Sequence, residues 1–315
     1  MFRSRYDSSL GFLYDKFMTE TEFGKLSRLE REQALMQALV VPDEEAAEMD
    51  ETKQITAKDI DTDISDVKYT IEGLNGITQD GNAFIAEEEN ASVVINAEPV
   101  GNSQLVVSFD NLRRVNEAGE DIGNFKLKCR SSKLQTEANN NKNNQTIACI
   151  VDYDLNMGYY DEFAGRLEIM FSKPGRYEFD RMYVSAMSAE NFDKYAAERC
   201  GSVYEVTDRT ATKVAGTLNA KSDGWLFLSI PVNTNWNVYI DGGQVAEIHN
   251  ANIAFFATPV TKGEHTVERR YDHRNRNIAL AVSGAGLLLL TVLGIIDKKR
   301  LKKAKKENSL ETAKH

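Results

Sequence analysis

One stretch, Ile278 to Ile296, constrains this chain more than any other: IALAVSGAGLLLLTVLGII, nineteen residues without a charge. As a helix rising about 1.5 Å per residue it is roughly 28 Å long, close to the roughly 30 Å hydrocarbon thickness of a bilayer. Its polar side chains are Ser283 and Thr291, whose hydroxyls can bond back to the carbonyl one turn earlier. A buried core helix is usually shorter and carries a polar face. This run has no such face and stops at Asp297-Lys-Lys-Arg300. The expectation is a transmembrane helix over 278–296.

The flanks give it a direction. The tail 297–315 holds eight Lys/Arg against three Asp/Glu, a net of +5, whereas the whole chain is −10, so residues 1–296 carry −15. Positive charge beside a span favours the cytoplasm. Arg269, Arg270, Arg274 and Arg276 precede the span, but the charge after it is denser. The reading is a membrane protein with its basic tail, 297–315, in the cytoplasm and residues 1–277 outside. The opening MFRSRYDSSLGFLYDKF has neither the apolar core nor the cleavage site of a signal peptide. Either the chain is tail-anchored with its bulk in the cytosol, or earlier helices of a larger membrane protein provide translocation.

The acidic balance of residues 1–296 excludes nucleic acid as a partner, because phosphate binding needs a basic face. Three cysteines, Cys129, Cys149 and Cys200, form no CxxC pair. Cys129 and Cys149 bracket a polar loop, where a disulfide or two buried thiols are both open.

The 1–51 segment reads as irregular and then helical. Ser27 with Glu30 has the form of a capping box, and Leu26, Leu29, Leu35, Met36 and Leu39 recur at helical intervals up to Pro42. Acidic residues and alanine from Asp43 to Glu51 read as a linker. From about Asp66 the apolar period changes to two. Strand-like runs are Ala83–Glu87, Ser92–Ala97, Leu105–Phe109, Phe125–Cys129, Thr146–Tyr153, Arg166–Phe171 and Tyr177–Ser185. The low-complexity run Glu137–Asn144 reads as a hairpin tip, and Ser188 caps a short helix to Arg199 with Phe192, Tyr195 and Ala196 as its stripe. A second β module follows, with strands at Lys213–Ala220, Trp225–Pro231, Trp236–Ile240, Gln244–Ile248, Ile253–Thr258 and His265–Tyr271. Asp241-Gly242-Gly243 is a hairpin signal, since primed turns need positive φ. The expected fold is mainly β: two β-sandwich-like modules, 52–200 and 201–277, with a short N-terminal helical segment and one C-terminal transmembrane helix.

Chemistry-bearing patterns are sparse. Asp59, Asp61 and Asp63 alternate as in a calcium loop, but Ile64 and Thr70 stand where that loop needs glycine and glutamate. Asp152 and Asp154 beside a strand could pair for acid–base work or simply face solvent. His249, His265, His273 and His315 lack metal-ligand spacing, and no nucleophile elbow or phosphate-cradling loop is present. The residues therefore point to no catalytic group, no metal and no cofactor. Exposed aromatics on a sandwich can stack on sugar rings. Trp225, in the apolar run WLFLSIP, reads as core, whereas Trp236 at a strand start, together with Asp241, is the candidate glycan contact.

Several stretches resemble one family. These are Asp223-Gly-Trp-Leu-Phe-Leu-Ser-Ile-Pro231, Trp236-Asn-Val-Tyr-Ile-Asp241-Gly242, Ala254-Phe255, Gly263-Glu-His265 and Tyr271 just before the span. Together they resemble the C-terminal end of the YfhO family of bacterial multi-pass membrane proteins. Leu10-Gly-Phe-Leu-Tyr14 and Glu30–Leu35 are similar to the family's approach to this region. Val232, Asn235 and Asp272-His273 depart from its pattern at surface turns. The resemblance implies a glycosyltransferase-like membrane protein, with lipid-linked sugar donors, acting on envelope polymers such as lipoteichoic acid. The catalytic acid of such enzymes lies in a loop after the first transmembrane helix, which has no counterpart here. The expectation is therefore a non-catalytic, extracytoplasmic C-terminal part working with the remaining helices and an envelope glycan. The alternative is an independent membrane-anchored glycan- or protein-binding β-sandwich protein.

Overall fold

The computed structural model describes residues 10–140, 151–232, 235–244, 247–272 and 274–312. Its architecture is mainly β, with one long apolar helix at the C-terminal end.

The larger core lies between a seven-stranded and a four-stranded sheet. The seven-stranded sheet runs Gln135–Asn140, Phe125–Arg130, Tyr153–Phe171, Ala91–Asp110, Arg181–Ser188, Ile64–Val67, with Tyr69–Asn75 also pairing to the Ala91–Asp110 strand. Its two central strands are long because their alternation continues through what the sequence suggests are separate strands. Ser92–Ala97 and Leu105–Phe109 belong to one strand, and Arg166–Phe171 is the end of another. The facing sheet holds Ile77–Gln79, Ala83–Ala86, Gly175–Glu178 and Arg113–Val115. Between the sheets pack Ile95, Leu105, Val107, Phe109, Leu127 and Phe171, all fully buried. Residues 137–140, the first half of the run expected as a hairpin tip, lie in the Gln135–Asn140 strand, and residues 141–150, with the rest of that run and Cys149, lie outside the described residues. Cys129 is buried in this core, and burial pushes its thiol up to about 12.

The second core explains the uninterrupted run GWLFLSIP. An apolar run without alternation indicates burial on both faces, and residues 224–228 are indeed all buried. The Gly224–Pro231 strand is central to a sheet ordered Gly11–Tyr14, Gly224–Pro231, Phe255–Val260, His249–Ala251. One face, through Leu226, Leu228 and Phe256, packs on a five-stranded sheet of Tyr204–Thr210, Lys213–Ala220, Gly263–Tyr271, Trp236–Ile240 and Gly243–Gln244. The other face, through Trp225 and Phe227, packs on Phe17, Leu39, Val41 and Met49. The N-terminal segment is thus built into the second core: Gly11 pairs with Leu228 and Tyr14 with Trp225. Gly224 permits this approach, since a Cβ there would stand 2.1 Å from the Tyr14 carbonyl oxygen.

The Arg28–Gln37 helix begins at the expected capping box, in which Ser27 Oγ and the Glu30 carboxylate each accept a backbone N–H. It ends before Leu39, which joins Leu39–Val41 in a parallel pair with Phe17–Thr19. Arg28 pins this helix to the larger sheet. Its guanidinium reaches Asp154 at 2.6 Å, Asp110 at 3.0 Å and Asp152 at 3.0 Å. The helix Ala189–Cys200, capped by Ser188, joins the same corner, and its buried Arg199 donates to the Leu13 carbonyl and lies 4.6 Å over the Tyr14 ring.

The helix Arg274–Thr312 runs unbroken past Ile296, and Thr291 Oγ1 donates to the Leu287 carbonyl at 2.7 Å. Among the described residues this is the one helix long and apolar enough to cross a membrane, with its candidate span at Ile278–Lys302 and no part of it buried against the chain. The basic residues that follow interrupt hydrophobicity, not helicity.

Candidate binding cleft

The sequence-predicted contacts are placed apart. Trp236 opens the Trp236–Ile240 strand and Asp241 follows its far end, so about 17 Å of extended chain separates them. Trp236 is half-buried, its ring 5.5 Å from that of Tyr271 at 78° and 5.1 Å from the Arg269 guanidinium. Asp241 sits in the hairpin with φ 51°, followed by Gly242 at φ 81°, as a primed turn requires. Its carboxylate accepts from the Thr266 N–H at 2.8 Å and meets His265 Nδ1 at 2.8 Å. The opposite ring nitrogen lies 2.9 Å from the Thr261 carbonyl. Two acceptors on one imidazole favour its doubly protonated form, and His265 is accordingly held above the usual histidine range while Asp241 is held below the usual carboxylate range.

Other carboxylates have structural partners. Asp152 and Asp154 are both ion-paired to Arg28, which makes them a clamp between the N-terminal helix and the sheet. Asp61 accepts from Lys194 and Tyr195, each at 3.0 Å, and Asp59 accepts from the Thr56 N–H at 2.8 Å.

A cavity of about 750 Å³ opens where the Arg28–Gln37 and Ala189–Cys200 helices meet the exposed face of the seven-stranded sheet. Its aromatic surfaces are Tyr159, Phe192 and Tyr195, its amides include Asn102, Gln104 and Asn191, and its acids are Glu32, Asp161 and Asp193. Among the described residues, no lysine or arginine lines it. Tyr159 Oη donates to Asn102 Oδ1 at 2.7 Å and Asp161 Oδ1 at 3.1 Å, which fixes its ring. Burial, with the negative charge of Asp154 behind it, raises the Glu32 carboxyl above its ordinary value.

A β-bulge aims Tyr159 at this space. Tyr153, Leu155 and Met157 point into the core by alternation, and then the register shifts between Asn156 and Tyr159. Gly158 takes φ 78°, its N–H bonded to Asn156 Oδ1 at 2.8 Å. An extra residue in one strand redirects the side chains that follow. Tyr159 consequently emerges 47% exposed and Tyr160 turns inward. Phe192 is 53% exposed at the opposite wall, while Ala196 alone of its predicted stripe is buried. The sequence pattern places Phe192 in an apolar helix stripe and does not single out Tyr159. A glycine interrupting strand alternation at Gly158 was the available signal for the bulge; nothing local marked Phe192 as open.

Comparison with known proteins adds the family. Among solved structures, the chain is similar to a cycloisomaltooligosaccharide glucanotransferase from Paenibacillus sp. complexed with cycloisomaltoheptaose, at 7% identity, 66% coverage of this chain and TM-score 0.21. It spans 46% of that protein. It is also similar to a vicilin from Solanum lycopersicum, at 6% identity, covering 58% of this chain and 71% of the vicilin with TM-score 0.13. Likenesses this weak carry no argument about fold or function. No curated protein matches the chain. The family described as bacterial membrane protein YfhO matches residues 1–283, all of the β region and the start of the apolar helix. The chain belongs to the YfhO family of bacterial membrane proteins.

Proposed function

We propose that the β region is the non-catalytic, extracytoplasmic C-terminal part of a YfhO-type membrane protein, with the tail after the span in the cytoplasm. In this reading the protein glycosylates envelope polymers of the lipoteichoic-acid type from lipid-linked sugar donors, and the β region holds the acceptor. The observation that carries the reading is the cleft, with Tyr159 and Phe192 exposed among amides and carboxylates. Aromatic faces stack on the apolar faces of sugar rings, and amides and carboxylates take their hydroxyls in directed hydrogen bonds. The acids repel phosphate, so the cleft suits the neutral sugar units of a polymer rather than its charged backbone.

The test is titration of the full-length protein in nanodiscs with neutral oligosaccharides of envelope type, read by calorimetry. Tyr159→Ala and Phe192→Ala are each expected to weaken binding at least about tenfold, the loss of roughly 1.4 kcal/mol of stacking. Unchanged affinity in both variants, or no binding by the native protein, would sink the reading.

A further inference from the structure

The second sandwich has one end unlike the rest of its surface. At that end the Gly263–Tyr271 strand stops, and two residues later the helix containing the candidate span begins at Arg274. Four half-exposed or exposed apolar side chains gather there. Tyr271 and Trp236 are paired across the last rung of the sheet. Val232, 43% exposed, follows the Gly224–Pro231 strand, and its N–H bonds to the Ala254 carbonyl at 2.9 Å. Beside it Ile253 is 81% exposed with φ 74°, a left-handed conformation that β-branched residues rarely adopt. Arg269 ties the two sheets at this level, donating to the Pro231 carbonyl at 3.0 Å and lying 4.3 Å from the Phe256 ring and 5.1 Å from Trp236.

The depth of this end follows from chain length. The helix advances about 6 Å over the four residues from Arg274 to Ile278, and the three steps from Tyr271 to Arg274 span at most about 11 Å. Tyr271 therefore lies within about 17 Å of the hydrocarbon edge, and the headgroup layer fills about 5–7 Å of that gap. That distance is the upper limit for a fully extended link, and any bend in the link or tilt of the helix brings the Tyr271 ring closer to the layer. Tryptophan and tyrosine prefer this layer because an apolar ring and a polar N–H or O–H can each find their own environment. A strained isoleucine held open to water is costly; the same side chain placed among lipid headgroups and first methylenes is favourable.

We propose that Val232, Trp236, Ile253 and Tyr271 form a membrane-docking face that seats the second sandwich on the lipid–water interface where its helix enters the bilayer. The proposal rests on that helix being the span. Trp236 is then an interfacial anchor, and its edge-to-face contact with Tyr271 and its contact with Arg269 set the tilt of the β region over the membrane.

The full-length chain reconstituted in phosphatidylcholine vesicles tests this, with bromine-labelled lipids as quenchers. Trp236→Phe isolates the Trp236 signal by difference, because the chain has two tryptophans and Trp225 is 5% exposed. Lipid brominated near the headgroup is expected to quench most of the Trp236 emission, and lipid brominated at the chain end to quench little of it. Ile253→Trp, in the Trp236→Phe background, is expected to behave the same way, independent of any loss of the Trp236 packing. Leu288→Trp reports the span itself and is expected to be quenched from the bilayer centre. Quenching at Leu288→Trp but at neither Trp236 nor Ile253→Trp overturns the docking face and leaves the span standing; no quenching at any of the three overturns both. Protection of Trp236 from aqueous iodide without lipid quenching, as a second copy or a protein partner would give, also overturns it.

Discussion

Single residues decide the clamp and a pH-sensitive pair. Arg28 faces Asp110, Asp152 and Asp154, so Arg28→Ala leaves three carboxylates together without their cation. The expected loss is about 1–3 kcal/mol in chemical denaturation, and Arg28→Lys recovers only part of it because an ammonium lacks the planar fork. His265 and Asp241 stabilise each other in their charged forms. The imidazole, raised above its ordinary value, contributes fully below about pH 6.5 and loses its contribution as pH rises through the higher folded value. The carboxylate, lowered by the same bond, contributes fully above about pH 3.9 and loses that as pH falls through the lower folded value. Asp241→Asn keeps the acceptor for Thr266 and tolerates positive φ. It is expected to lower the melting temperature near pH 5.5 and to change it little near pH 9; an equal drop at both would refute the charge coupling.

At the scale of elements, the helix and hairpin termini were the parts most legible in sequence, because their chemistry is local. Ser27 with Glu30 and Ser188 each specify a terminus through bonds to neighbours three residues away or fewer, and Asp241-Gly242 specifies its turn by accepting positive φ at both positions. Ser27→Ala is expected to cost about 1 kcal/mol, measured by thermal or urea unfolding. Strand joins were less legible. The Ala91–Asp110 and Tyr153–Phe171 strands continue through polar, bent or bulged stretches that resemble turns in sequence, and only pairing of each with the other holds them extended. The bulge at Gly158 is of this kind, and the cleft depends on it. Close contact between strands is equally nonlocal. Gly224→Ala would drive a methyl group into the Tyr14 carbonyl, so at least about 2 kcal/mol of destabilisation is expected in the same assay, with loss of the pairing between residues 11–14 and 225–228.

At the scale of the molecule, the N-terminal segment links the two cores. Residues 11–14 complete a sheet with residues 224–260, residues 17–49 cover its outer face, and Arg28 reaches the larger sheet. A fragment of 201–277 lacks the cover over Trp225 and Phe227 and is expected to show no cooperative melt, whereas co-expression with residues 1–51 is expected to restore one, measured by circular dichroism.

The sequence by itself determined the apolar helix over 278–296, its basic flank, the predominance of strands and the burial of Trp225, because length, charge and period are properties of short windows. The resemblance to the YfhO family was also carried by contiguous residues around Trp225, Trp236 and Asp241. Tertiary structure alone decided that the segment before Pro42 belongs with residues 224–260, that Tyr159 and Phe192 face one cavity, and that Val232, Ile253, Trp236 and Tyr271 share one end. Apart from Val232 and Trp236, which are close in sequence, these pairings join residues 17 to more than 200 positions apart. Their energy comes from surfaces meeting across space, and no local pattern encodes which distant surface a side chain will meet.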